Sequence, residues 1–369
     1  MPPSPSPVRS ATPDGSPRMP VPDRSRTDRR PSSRPLAGVA LAAALAAGVP
    51  ASVAGQSGVA GPPAADRATV ALAFENDTFA SADRHYTSGL RLGVAAPSAS
   101  TPAALVAAAA ASGLFPENAR YRLVFTLGQS MFTPRDIRLE RPGPRDRSWA
   151  GWLYASVGLA GSDGTRSHSL ELTLGTVGPS ARAGETQRGV HALFGQDEPE
   201  GWEHQIGDRP TLGLAYERRW RAREGRTEAF GGLELGLQPH LGATLGNAFA
   251  HAHVGATVRA GRRLGQDFGP PRVAPAVPGS GAIGAREGAW YGFAGVDLRL
   301  VGRDLFVEER GAGDPPPLEP ERLVADLQFG ALASLGGTKL AYTHVLRTDQ
   351  WAGQRGDTSF GAVSLSRAW

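Results

Sequence analysis

YRLVFTLG, residues 121–128, sets Tyr121, Leu123, Phe125 and Leu127 against Arg122, Val124, Thr126 and Gly128. Large apolar side chains recur at every second position, the period of a β-strand, whose successive side chains point to opposite faces. The same period extends outward in both directions. Val70, Leu72 and Phe74 carry it, as do Leu90, Leu92 and Val94. Leu170, Leu172 and Leu174 repeat it, and Leu212, Leu214 and Tyr216 follow. Twelve segments result, near 68–76, 86–95, 121–129, 150–159, 167–176, 209–221, 227–237, 247–261, 289–301, 321–332, 338–347 and 359–369. Their second face is mostly Gly, Ala, Thr and Ser with isolated Arg and Glu, whereas a soluble sandwich is free to charge that face heavily. Strands of about ten residues, even in number and with one apolar face, predict an all-β fold: a twelve-stranded antiparallel transmembrane β-barrel. Closure pairs every backbone group, as lipid demands. The terminal aromatic Trp369 after an alternating strand fits an outer-membrane barrel.

Composition narrows the function. The 369 residues include no Cys, which removes disulfide scaffolds, thiol nucleophiles and Cys-ligated zinc. The basic balance is misleading as a sign of nucleic-acid binding. Of 39 basic and 35 acidic side chains, seven Arg and three Asp lie in residues 1–35, and the remaining 32 of each sign cancel. That leader is rich in Pro, Ser and Arg. It precedes LAGVALAAALAAGVPASVA, residues 36–54, an apolar run ending in the small-x-small triplet Ser52-Val53-Ala54. The pattern predicts an export signal cleaved after Ala54, so that residues 1–54 are leader and signal and 55–369 form the barrel.

Strand parity gathers polar groups at one end. If the first strand runs outward, the connections 77–85, 130–149, 177–208, 238–246, 302–320 and 348–358 face the cell exterior. The connections 96–120 and 262–288 face the periplasm and are long for that side. Asn76 and Asp77 end the first strand, and Asp83, His85 and Thr87 lead into the second. Amide, carboxylate and hydroxyl oxygens suit a hard cation such as Ca²⁺. An ordinary Asn-Asp turn explains the same residues. In the third external connection, Pro179 and Ser180 can open a helix and Gly195 can close it. Gln187 and His191, four apart, then share a face that can present a base and an amide. A lone exposed helical His is the competing reading. Arg147 lies beside Trp149 and Trp152, either as an interfacial cation within an aromatic girdle or as a ligand for a developing oxyanion. Neither a G-x-S-x-G elbow nor an H-E-x-x-H motif is present, which favours direct attack by water.

Five segments, taken together and in order, resemble the outer-membrane lipid A 3′-O-deacylase family. They are ENDTFASADRHYTSGLRLG (75–93), GQSMFTP (128–134), DRSWAGWLY (146–154), GPSARAGETQRGVH (178–191) and KLAYTHVLRTDQWAGQ (339–354). The resemblance implies a twelve-stranded barrel with its site at the outer rim under an external helix. It further implies Ca²⁺-dependent removal of the 3′ acyloxyacyl chain of lipid A. Carried over by motif, Asn76 and Asp77 hold the metal, Thr87 bonds within that cluster, and Gln187 and His191 form the helix-borne pair. Arg147 is the candidate for the family's loop cation, although the family's Arg-Pro-Tyr-Ala-Gly stands here as Arg147-Ser148-Trp149-Ala150-Gly151. The expected protein is therefore a monomeric outer-membrane hydrolase, site facing the cell surface, acting on lipid A or lipopolysaccharide and not on nucleic acid. A calcium-dependent phospholipase or other lipid esterase on the same scaffold, and a non-catalytic barrel, are the competing classes. His191 is expected to take a proton from water attacking the ester carbonyl, with Gln187 positioning it.

Overall fold

The computed structural model describes Met1 and residues 67–369, apart from 78–85, 87, 117, 228–232, 265–266, 271–287 and 357. The Arg-rich leader, the expected signal 36–54, and Asp83, His85 and Thr87 lie outside the described residues.

Thirteen strand segments form one antiparallel sheet. They are β1 (Thr69–Asn76), β2 (Ser88–Ala95), β3 (Arg120–Phe132), β4 (Ala150–Ser162), β5 (Arg166–Val177), β6 (Arg209–Trp220) and β7 (Arg223–Thr227). Then come β8 (Leu233–Gly246), β9 (Phe249–Arg262), β10 (Trp290–Asp304), β11 (Leu323–Leu335), β12 (Thr338–Arg347) and β13 (Thr358–Ala368). β1 pairs with β13, from Thr69↔Ala368 to Asn76↔Gly361. β6 pairs with β8, from Gly213↔Gly246 to Arg219↔His240. β7 continues β6 along the same side of β8, with Arg223 opposite Leu237. β6 and β7 are thus one stave interrupted at Arg221 and Ala222, and the sheet closes as a barrel of twelve staves.

The seventh sequence segment, 227–237, ended too early. The strand spans Leu233–Gly246, and the expected external connection 238–246 is itself strand. Only Asn247 and Ala248 separate it from β9. Pro239, which has no N–H to give to a ladder, lies within this strand. It lies opposite the interruption in the neighbouring stave, where a bulge tolerates it. Beyond it, exposed Leu241 and Leu245 resume the alternation.

The barrel's outer face is an apolar belt: Leu92, Phe125, Leu127, Val157, Leu174, Leu214, Val258, Val296, Leu327 and Leu340 are all exposed. Its inner face is polar and carries ion pairs. Asp326 accepts 2.8 Å bonds from Arg299 and from both the Nε and Nη2 of Arg347. Glu217 meets Arg219 at 2.6 Å, and Asp297 meets His240 at 2.9 Å. Asp267 meets Arg259 at 2.5 Å and accepts from Tyr291 at 3.0 Å. Buried charge is tolerated only when paired in this way. One end of the barrel, the terminal end, is where β1 begins and β13 ends; the opposite end, here the loop end, is filled by aromatics. Phe132 stacks on Phe306 at 3.9 Å and Trp152 on Tyr154 at 4.1 Å, with Tyr86, Phe249 and Phe360 around them. Phe306 reaches this cluster from a short helix, Leu305–Glu308, capped by Asp304 accepting from the Phe306 N–H at 3.0 Å.

Candidate functional site

The connection from β5 to β6 leaves the loop end and lies against the outside of the wall. Pro179–Ala181 form a 3-10 turn, Arg182 adopts a left-handed conformation (φ 56°), and the helix proper is Ala183–Phe194. The sequence placed the helix start near Pro179; the left-handed residue delays it to Ala183. Gly195 closes it at φ 64°, and the following Gln196 N–H returns to the His191 carbonyl at 2.9 Å.

Register identifies the face of the wall that this helix covers. Met131 and Gly151 pair across β3 and β4 in the outward-facing rows. Met131 packs with Ile137, Trp149, Ala183 and Trp202. A Cβ on Gly151 would stand 2.4 Å from the Ala183 Cβ, so only glycine lets the helix approach this closely. Gln129, outward on β3, donates to the Ala181 carbonyl at 2.7 Å.

The helix buries the stripe Ala183, Gly184, Gln187 and His191. Gln187 is 3% exposed and His191 8%, while Leu193 on the same helix is 70% exposed. A helix docked merely for packing would turn its leucine inward. Each polar atom of the buried pair is oriented. Trp202 Nε1, which can only donate, gives a 2.7 Å bond to Gln187 Oε1. The amide nitrogen therefore faces His191 Nε2, at 3.4 Å. On the other side of the ring, His191 Nδ1 lies 2.5 Å from the Asp197 carbonyl. A carbonyl only accepts, so Nδ1 carries the proton and Nε2 is the basic nitrogen.

Asn76 ends β1 at the same rim, and Asp77 follows it. Asn76 pairs with Ser88, and Ser88 with Met131, so one row runs Asn76, Ser88, Met131, Gly151 across four strands. At about 4.8 Å per strand, Asn76 lies about 10 Å from Met131, on the side of the wall where the helix sits. Asp77 is fully buried. The two residues offer an amide and a carboxylate oxygen, hard donors that match Ca²⁺ in kind. Among the described residues no group of three or more His, Asp or Glu side chains forms a metal cluster. An ion here would need further oxygens from backbone or hydroxyl groups. Thr87, the hydroxyl expected in this cluster, falls outside the described residues.

Arg147 differs most from its expected setting. It is not a snorkelling cation in an exposed girdle. The side chain is fully buried, its guanidinium 5.1 Å from the Phe132 ring and 5.2 Å from Trp351. Burial pushes its pKa down to about 10, against the opposing attraction of Asp304 and Asp146. Phe132 faces into the barrel mouth, so the Arg147 guanidinium belongs to the mouth and the Gln187–His191 pair to the outer wall. Trp149 and Trp152 also divide: Trp149 lies under the helix against Trp202 at 5.2 Å, and Trp152 lies in the mouth. Sequence reasoning missed Trp202 and Asp197. Nothing in GWEHQ distinguishes the tryptophan that fixes Gln187, and Asp197 acts through a backbone carbonyl, which any residue possesses.

A family model described as Outer membrane protein LpxR matches residues 25–369. Among solved structures, LpxR from Salmonella typhimurium superposes with a TM-score of 0.68 at 19% identity, covering 82% of this chain and 100% of that one. That similarity extends to the fold. The β domain of the Bordetella autotransporter BrkA covers 82% of this chain and 99% of its own at 13% identity, with a TM-score of 0.40. No curated protein matches the sequence.

Proposed function

The chain belongs to the Outer membrane protein LpxR family, and on that premise we propose that it is an outer-membrane esterase hydrolysing the 3′-linked acyloxyacyl chain of lipid A. The observation that carries this reading is the inverted helix, which buries Gln187 and His191 against the lipid-facing wall and leaves Leu193 outside. A base in that place meets an ester whose acyl chains remain in hydrocarbon.

The chemistry follows from the oriented ring. Water adds to the ester carbonyl carbon while His191 Nε2 gives up its long 3.4 Å contact with the Gln187 amide and takes the water proton. The ester C–O bond then breaks, and the imidazolium returns the proton to the departing sugar alkoxide. The Asp197 carbonyl fixes the tautomer throughout, and Gln187, itself held by Trp202, keeps the ring in place. A Ca²⁺ held by Asn76 and Asp77, with Thr87 bonding within the cluster, would supply Lewis-acid polarisation of the carbonyl and charge for the oxyanion. Arg147, packed in the barrel mouth, is assigned no step. The direct test is a lipid A mass spectrum with and without the chain expressed. Loss of the 3′ acyloxyacyl mass supports the reading. Unchanged lipid A with a lysophospholipid product replaces it with a phospholipase.

Two further results are expected. Trp202→Phe keeps an aromatic ring but deletes the N–H that orients Gln187, a hydrogen bond worth about 1 kcal/mol. It should lower the turnover number by about fivefold, and Gln187→Ala by a similar factor, with the double variant no worse than either single one. Additive losses would show that the two side chains do not act through one contact. The site is also proposed to face the cell surface. The native chain has no Cys, so Asp349→Cys in the β12–β13 connection should react with an impermeant maleimide on intact cells. Thr165→Cys in the β4–β5 turn should react only after lysis. The reverse pattern would invert the barrel.

A further inference from the structure

The β2–β3 connection, residues 96–119, lies at the terminal end and folds back along the outside of the barrel. Its helix, Ala103–Ala111, reads AALVAAAAA. No charged residue occurs between Leu92 and Pro116. Ala109 is buried and Val106 half-buried, while the other seven helix residues are exposed, as is Leu114 just beyond.

Three contacts fix this segment to the lipid-facing wall. Ala109 and Phe115 pack with Tyr121 of β3 and Leu159 of β4, and Leu123 and Leu170 lie against them. All four strand residues occupy outward-facing rows. Phe115 meets Tyr121 edge-on at 5.4 Å. It sits directly over Gly161, where a Cβ would come within 2.8 Å of its ring. Finally, the Leu114 carbonyl accepts from Tyr216 Oη at 2.7 Å and from His168 Nδ1 at 2.5 Å. Tyr216 Oη and His168 Nδ1, in outward rows of β6 and β5, lie 2.9 Å from each other and need hydrogen-bond partners in a bilayer. This carbonyl supplies one to both.

The end at which this happens carries interfacial residues. Trp290 and Trp369 are nearly half exposed, and Arg367 lies over Trp369 at 5.1 Å. Tryptophan with nearby cations marks the bilayer boundary. The exposed belt of Phe125, Leu127, Val157 and Leu172 begins immediately beyond on the same staves.

We propose that the helix Ala103–Ala111, with Leu114, is an in-plane membrane element whose exposed face is covered by phospholipid acyl chains of the terminal-end leaflet. The surface is continuous with the barrel's own apolar belt. A nine-residue helix is too short to be stable alone in water, and one apolar all round is suited to burial or lipid. The wall side is buried against β3 and β4, which leaves the bilayer to cover the rest. These same two staves carry the helix Ala183–Phe194 at their other end, so the element fixes the depth and tilt of the wall that bears the candidate site.

The native absence of Cys makes the test clean. The full chain is prepared as Leu105→Cys, Ala108→Cys and, as an aqueous control at the same end, Thr165→Cys. Each is labelled with an environment-sensitive fluorophore and reconstituted in phosphatidylethanolamine–phosphatidylcholine vesicles, with heat-modifiable gel migration as the check of folding. Labels at 105 and 108 should lose emission several-fold when shallow doxyl phospholipid is included, and should resist iodide. The label at 165 should do the opposite. Iodide quenching at 105 and 108 equal to that at 165 would overturn the proposal. So would protection from both quenchers together with efficient 105–105 cross-linking, which would assign the surface to a second copy of the chain.

Discussion

Removing the imidazole of His191 should abolish hydrolysis while leaving the barrel intact. His191→Ala is expected to lower lipid A deacylation by at least about 100-fold, the scale of a lost general base. The loss should appear in the turnover number and not in substrate affinity, because Nε2 is needed only when water attacks. The barrel does not depend on this ring. The helix Ala183–Phe194 contributes no strand pairing, and the twelve staves close through β1–β13 and β6–β8. Heat-modifiable migration should therefore match the parent. His191→Gln makes the test stricter, since an amide can still bond to the Asp197 carbonyl but cannot take a proton at the position of Nε2. It should be as inactive as the alanine variant. A folded His191→Ala protein that deacylates at the parental rate would reduce the residue to packing, and the proposed mechanism would fall with it.

The parts of the molecule that were readable in advance are those that a period of two controls. Alternation of the YRLVFTLG kind fixes which side chains face outward, and the exposed Phe125 and Leu127 occupy the face it assigned. Periodicity does not say what an inward residue meets. The Arg347–Asp326 and Arg219–Glu217 pairs join residues brought together by register and closure, which alternation does not specify. Nor does periodicity say what a proline inside a strand costs: Pro239 is accommodated where the neighbouring stave is itself interrupted. At the candidate site, the four-residue spacing correctly put Gln187 and His191 on one helical face. That this face is the buried one depends on Gly151 and Ala183 meeting across the wall, a tertiary fact. Arg147 shows the opposite limit. Its neighbours Trp149 and Trp152 suggested an exposed girdle, but they lie in different packing clusters, and the arginine is enclosed by Phe132 and Trp351.

The metal proposal makes the second large prediction, and it centres on Asp77. This carboxylate is fully buried just past the end of β1, on the rim that carries the helix. A carboxylate is the donor type that a hard divalent cation such as Ca²⁺ takes most readily. In detergent micelles with purified lipid A, chelation should abolish hydrolysis, and excess Ca²⁺ should restore it. Mg²⁺ should restore it poorly, because it demands a tighter octahedral shell and releases water reluctantly. Asp77→Asn preserves the shape and removes the charge. It should reduce activity by at least about 100-fold at low Ca²⁺, a loss comparable to that of a principal catalytic electrostatic group. Raising Ca²⁺ should recover part of that activity, because mass action offsets weakened binding. A residue that only shapes the turn behaves differently. Asparagine is as good a turn former as aspartate, so the variant would then keep parental activity and the parent would ignore the chelator. Those two results together would remove calcium from the mechanism without touching the role of His191, whose proton transfer needs only the tautomer fixed by Asp197.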